Sequence, residues 1–152
     1  MISIVFYCEG QDSIWLTAPR EFVERLSSPF DITSLSPSRF VVAYEDGNTW
    51  EGKIMVGNIQ NDTNVVFGNK VTFNSSNSNY EVEVSRLSET RFLLTYSNSY
   101  ATRSRVCEVL MNSFIYMGEP IVLSYYTIHQ IAQTGISDDK FLIAYENNCA
   151  IG

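Results

Sequence analysis

The chain predicts an all-β fold built from repeated four-stranded antiparallel sheets, and three observations carry that expectation. A ten-residue pattern, Leu35-Ser36-Pro37-Ser38-Arg39-Phe40-Val41-Val42-Ala43-Tyr44, returns as Leu87-Ser88-Glu89-Thr90-Arg91-Phe92-Leu93-Leu94-Thr95-Tyr96 and as Ile136-Ser137-Asp138-Asp139-Lys140-Phe141-Leu142-Ile143-Ala144-Tyr145. Phe40, Phe92 and Phe141 stand 52 and 49 residues apart, a period that marks stacked or radial repeat architectures. Nine Tyr, nine Phe and two Trp among 152 residues suit pleated, half-buried strands. A β-sandwich or an irregular barrel of the same strands is the alternative.

Taken in order, residues 3–9 can be laid on residues 40–46, matching Ile4 to Val41, Val5 to Val42 and Tyr7 to Tyr44, so the chain opens inside a unit. Residues 13–17 and 21–26 are short strand candidates separated by Ala18-Pro19-Arg20, where the proline blocks a continuous element. Residues 30–35 alternate apolar and polar, as a half-buried strand does, and end at the turn Ser36-Pro37-Ser38. Residues 40–44 are continuously apolar, which implies cover on both faces. A third strand follows over 52–59 and a fourth over 64–73, where Gly68 predicts a bulge or break.

The order then repeats: an alternating strand over 80–87, an apolar one over 92–96, a third over 104–109, and a fourth over 114–123. Gly118 in that fourth strand stands 50 residues after Gly68. Residues 128–136 and 141–145 begin another unit. The boundaries are a partial unit over 1–29, units over 30–79 and 80–127, and a partial unit over 128–152, all within one repeat-built domain.

Ten basic against seventeen acidic side chains give a net charge of −7, which repels polyphosphates and anionic bilayers. No nucleic acid and no membrane is expected as a partner. Cys8, Cys107 and Cys149 are too few and too scattered for a disulfide framework or a paired metal knuckle, so no metal and no cofactor is expected. With no leader-like segment and no apolar run of membrane-spanning length, the expected location is cytoplasmic.

The four-strand, roughly fifty-residue unit resembles the degenerate blades of β-propeller proteins. The segment Ala43-Tyr44-Glu45-Asp46-Gly47-Asn48-Thr49-Trp50 is similar to a worn Asp-box hairpin of sialidase-type propellers, with Glu45 in the place of the Asp and Ala43 in that of the Ser. The resemblance implies that this hairpin is structural, with the Trp packed into the blade. It also implies strands numbered outward from an axis, with 31–35, 81–87 and 128–136 innermost. About three blades per chain are fewer than the four to eight that close a ring, so a homo-oligomer is expected, most simply a dimer.

If the strands alternate in direction, the loops after each second and fourth strand share one rim. That rim carries Glu45, Asp46, Asn48, Trp50, Asn98, Tyr100, Tyr125, Tyr126 and Asn147, the candidate ligand-binding residues. Aromatic rings stack on apolar faces while amides hydrogen-bond, a combination suited to a glycan or protein ligand. Arg39, Arg91 and Lys140 share one turn position and read as covers for strand ends. His129, the single histidine, sits on an expected inner strand without a partner acid or nucleophile. No catalytic residue is therefore assigned. The function expected is a non-enzymatic binding or assembly module, and the alternative is a glycosidase-like enzyme of the sialidase type or an inactive remnant of one.

Overall fold

The computed structural model describes residues 3–4, 7–10, 13–16, 20–21, 25–61, 64–75 and 79–146. It is all-β and antiparallel, and no α-helix occurs among the described residues. Four short strands come first, β1 (Ser3–Ile4), β2 (Tyr7–Gly10), β3 (Ser13–Leu16) and β4 (Arg20–Glu21), with β1 paired to β4 and β2 to β3.

The first large sheet runs β5 (Leu26–Ser36), β6 (Arg39–Asp46), β7 (Gly52–Gln60), and β8 (Asn64–Phe67) and β9 (Val71–Asn74) both pair with the far edge of β7. The second has the same order: β10 (Asn79–Arg86), β11 (Arg91–Asn98), β12 (Thr102–Val109), then β13 (Ile115–Met117) and β14 (Ile121–Ser124) both on β12. A hairpin of β15 (Ile131–Ser137) and β16 (Lys140–Tyr145) follows.

Local chemistry explains why the ten-residue pattern turns where it does. Its serine hydroxyl competes with the strand ladder for nearby polar groups. Ser36 Oγ accepts the Ser38 N–H at 3.3 Å, Ser88 Oγ accepts the Arg91 N–H at 3.1 Å, and Ser137 Oγ donates to Asp139 Oδ1 at 2.7 Å. The fourth strand breaks in both sheets at the expected glycine. Gly68 donates its N–H to the Val56 carbonyl at 2.8 Å and Gly118 to the Val106 carbonyl at 2.9 Å. A Cβ on Gly118 would stand 2.9 Å from that same carbonyl oxygen, closer than a carbon can settle.

The sheets stack through their first strands, β5 against β10 and β10 against β15. Between the first two lies the main core, where Val41, Ala43, Ile54 and Val56 meet Val82, Val84, Phe92, Leu94 and Tyr96. Strands β6 and β11 are buried along nearly their whole length, as their continuous apolar character predicts. Strand β16 has the same character yet stays largely open, because nothing among the described residues packs on its outer face. The first strand of the first sheet starts at Leu26, four residues before the expected start, and a register shift between Ser27 and Phe30 accommodates Pro29. A proline is tolerated there because β5 is an edge strand.

The pairing of β1–β4 also differs from the sequence alignment. Gly57 pairs with Phe67 and Ile54 with Val71; fifty residues earlier, Tyr7 pairs with Leu16 and Ile4 with Arg20. Residues 3–4 and 7–10 therefore stand in the pairing of a third strand, not of the second strand that their sequence resembles. Among the described residues the sheets close into neither a barrel nor a ring, and no helix is long and apolar enough to cross a membrane.

Candidate functional site

The loops at one end of the two large sheets converge through a chain of amides. The buried Glu45 carboxylate accepts both the backbone N–H and the side-chain N–H of Asn79, at the very start of β10. Asn74 Nδ2 donates to Asn79 Oδ1 at 2.7 Å, and Asn98 Nδ2 donates to Asn74 Oδ1 at 3.4 Å. Asn98 Oδ1 in turn accepts the N–H groups of Tyr100 and Ala101, and its carbonyl accepts Thr127 Oγ1 at 3.0 Å. A buried polar group without partners is costly, so this network fixes the loops relative to one another.

Of the candidate rim residues, Glu45 and Asn98 thus lie buried within this network and hold the scaffold of the rim. Asp46 shapes its turn by accepting the Asn48 N–H at 2.9 Å. Trp50, Tyr100, Tyr125 and Tyr126 are exposed, as is Asn48. The Asp-box likeness implies a Trp packed into the blade; instead Trp50 is 45% exposed with a left-handed backbone, φ 60°. The acid that holds the turn is Asp46, because Glu45 is drawn inward to Asn79. Asn147 and Cys149 lie outside the described residues. Cys107 is buried, which pushes its thiol up to about 12 and removes it as a nucleophile.

Sequence reasoning missed an acidic group on the inner strands. Burial, then the charges of Asp31 and Glu81, push Glu83 up to about 7. Burial also raises Glu81, and His129 partly offsets it. His129 itself is exposed and meets the Tyr80 ring edge-on at 5.4 Å. The available signal was position: Asp31 and Glu83 stand 52 residues apart, opposite Ala43 and Thr95 in the two sheets. Asp31 has structural work, since Oδ2 accepts the Val84 N–H at 2.8 Å and Oδ1 the Ile32 N–H at 2.7 Å.

The basic turn residues also act between elements. Arg39 Nε donates to Asn58 Oδ1 at 3.3 Å within the first sheet, whereas Arg91 Nη1 reaches across to the Asp138 carbonyl of the next hairpin at 2.9 Å. Among the described residues no group of three or more His, Cys, Asp or Glu side chains is placed to hold a metal ion. No family model, curated protein or solved structure matches the chain.

Proposed function

We propose that this chain is a non-enzymatic binding and assembly module, whose blade-like sheets are joined by association of copies into a ring with an aromatic, amide-braced rim for a glycan or protein partner. The supporting observation is a contrast at equivalent positions. Val41 and Leu93 are 0% and 1% exposed on the faces that meet the next sheet, while Leu142, at the same place in the pattern, is 62% exposed. An apolar face of this kind is covered in assembled stacks. Light scattering across a concentration series tests the reading. A mass of twice 17.3 kDa or more is expected, and a monomer at every concentration overturns it.

The rim is the surface offered to the ligand, because Trp50, Tyr100, Tyr125 and Tyr126 stand exposed on loops that the Glu45, Asn79, Asn74 and Asn98 network holds together. A glycan or peptide that binds there loses at least tenfold in affinity on Tyr100→Ala or Tyr125→Ala. The second reading, a glycosidase-like enzyme or its remnant, draws on the Asp31 and Glu83 pair, with Glu83 near the range of a general acid. Both Asp31 oxygens already accept backbone N–H groups, which favours the binding reading. Hydrolysis of a chromogenic glycoside panel, lost in Glu83→Gln, would reverse that preference.

A further inference from the structure

Two half-sheets in this chain have matching free edges. Hairpin β15–β16 carries the pairing of a first and second strand: Ile131 pairs with Tyr145 as Val82 does with Tyr96 and Phe30 with Tyr44. Strands β1–β4 carry the pairing of a third and fourth strand. Ser3, Ile4 and Tyr7 pair with Glu21, Arg20 and Leu16, where Lys53, Ile54 and Gly57 pair with Thr72, Val71 and Phe67. In the second sheet Arg103, Ser104 and Cys107 occupy those same places, at an offset of another fifty residues. Among the described residues, β16, β1 and β2 are each paired along one edge only. An unpaired edge is a template for another strand.

We infer that β16 of one copy pairs antiparallel with β1 and β2 of a second copy, so that two chains together complete a four-stranded sheet at each junction. This rests on the assembly reading above and specifies its interface. The register follows from the complete sheets. Phe40 pairs with Gly57, Ala43 with Ile54 and Tyr44 with Lys53; Phe92, Thr95 and Tyr96 pair with Cys107, Ser104 and Arg103. Phe141 therefore stands opposite the second copy's Tyr7, Ala144 opposite its Ile4, and Tyr145 opposite its Ser3.

Three features outside the register fit the same occupant. The outer face of the hairpin borders an open, mainly apolar groove of about 420 Å³ whose lining includes Ala132, Thr134, Leu142 and Ala144. Strand β5 exposes Phe30 and Ile32, whereas the residues at their places in β10, Val82 and Val84, are buried against the first sheet. Once the shared sheet forms, Leu142 faces Phe30 and Ile32 as Val41 faces Val82 and Val84, and both exposures disappear together.

The third feature is a carboxylate. Glu45 follows Tyr44 and accepts the N–H of Asn79, and Ser97 follows Tyr96 and accepts the N–H of Ile128 at 2.8 Å. Each ties one sheet to the entry of the next. Glu146 follows Tyr145 and is exposed. In the assembly it takes the backbone N–H of the second copy's Leu26, which pairs with Asp46 as Asn79 pairs with Asn98. A second copy is favoured over the chain's own β1 and β2 because self-closure would leave a ring of three sheets. Two copies give six, within the four to eight from which such rings are built.

Cysteine cross-linking tests the pairing in the full chain carrying Cys8→Ser and Cys149→Ser. Ile4→Cys with Ala144→Cys is expected to give a covalent dimer under mild oxidation. Ser3→Cys with Ala144→Cys, shifted by one residue so that the side chains lie on opposite faces, gives none. Leu142→Glu, on a surface that tolerates charge in the monomer, is expected to weaken dimerisation at least tenfold while leaving the β-sheet circular dichroism unchanged. A dimer by light scattering without the Ile4 to Ala144 cross-link overturns the register and leaves the assembly reading standing. A disulfide within single chains overturns the second copy as occupant. A monomer with no cross-link overturns both.

Discussion

The second sheet and the terminal hairpin begin from the same formula, apolar-Ser-x-x-basic-Phe-apolar-apolar-small-Tyr, and end in different environments. Both fold into the same antiparallel pair with the same partners across the ladder. Yet Leu93 is sealed and Leu142 stands open, and the Ser97 hydroxyl receives a neighbour's N–H while Glu146 faces solvent. Local pattern therefore sets the hairpin, whereas burial depends on whether another layer lies against the outward face. An alternating or continuous apolar strand supplies only one side of a contact.

Core truncation should separate the two regions most. Leu94→Ala, within the main core, is expected to cost roughly 2–5 kcal/mol in urea unfolding, while Leu142→Ala in dilute, monomeric protein costs less than about 0.5 kcal/mol. Equal losses would show that the hairpin face is already covered in the single chain. Removal of the buried carboxylate comes next. Glu45→Ala strands the Asn79 N–H groups and is expected to cost about 1–3 kcal/mol, whereas Glu146→Ala leaves monomer stability unchanged and weakens only the dimer.

A more local effect, of similar size, tests how the hairpin is seated on the second sheet. A Cβ at Gly135 would lie 1.9 Å from the Arg86 carbonyl oxygen, a backbone atom that cannot swing aside. Gly135→Ala is expected to speed amide exchange in β15 and β16 selectively, with a cost of about 1–3 kcal/mol for the overpacked contact. Unchanged exchange would mean that the hairpin is held elsewhere, for instance through Arg91 and Asp138.

The mildest test is titration. Glu83 is held at about 7 in the folded chain, above the ordinary carboxylate range, so the folded state binds more protons than the unfolded one between those values. Its contribution to stability is present below the ordinary carboxylate range and is lost as pH rises through about 7. Glu83→Gln should flatten the fall in melting temperature from pH 5 to 8, and an unchanged slope would place the titrating group elsewhere.

Much of the architecture was legible because it depends on neighbours in sequence. Ser36, Ser88 and Ser137 shape their own turns, and Gly68 and Gly118 break their own strands. The exposed tyrosines Tyr100, Tyr125 and Tyr126 were legible for the same reason, as loop residues. The amide network was not, since Glu45 and Asn79 are 34 residues apart and nothing local marks them as partners. Trp50 was misjudged through its likeness to a buried tryptophan, when the neighbouring Asp46 takes the turn and leaves the indole outward.

By itself the sequence determined most of the stretches that form strands, where the chain turns, and the fifty-residue spacing that puts equivalent residues at equivalent places. Periodicity, hydroxyl-capped turns and glycine breaks act over a few residues, so they survive whatever surrounds them. Only the tertiary structure decided which of those equivalent residues are buried and which acids are joined to backbone amides. It also showed that residues 3–4 and 7–10 pair as a third strand, because register and burial are settled by a second strand or sheet.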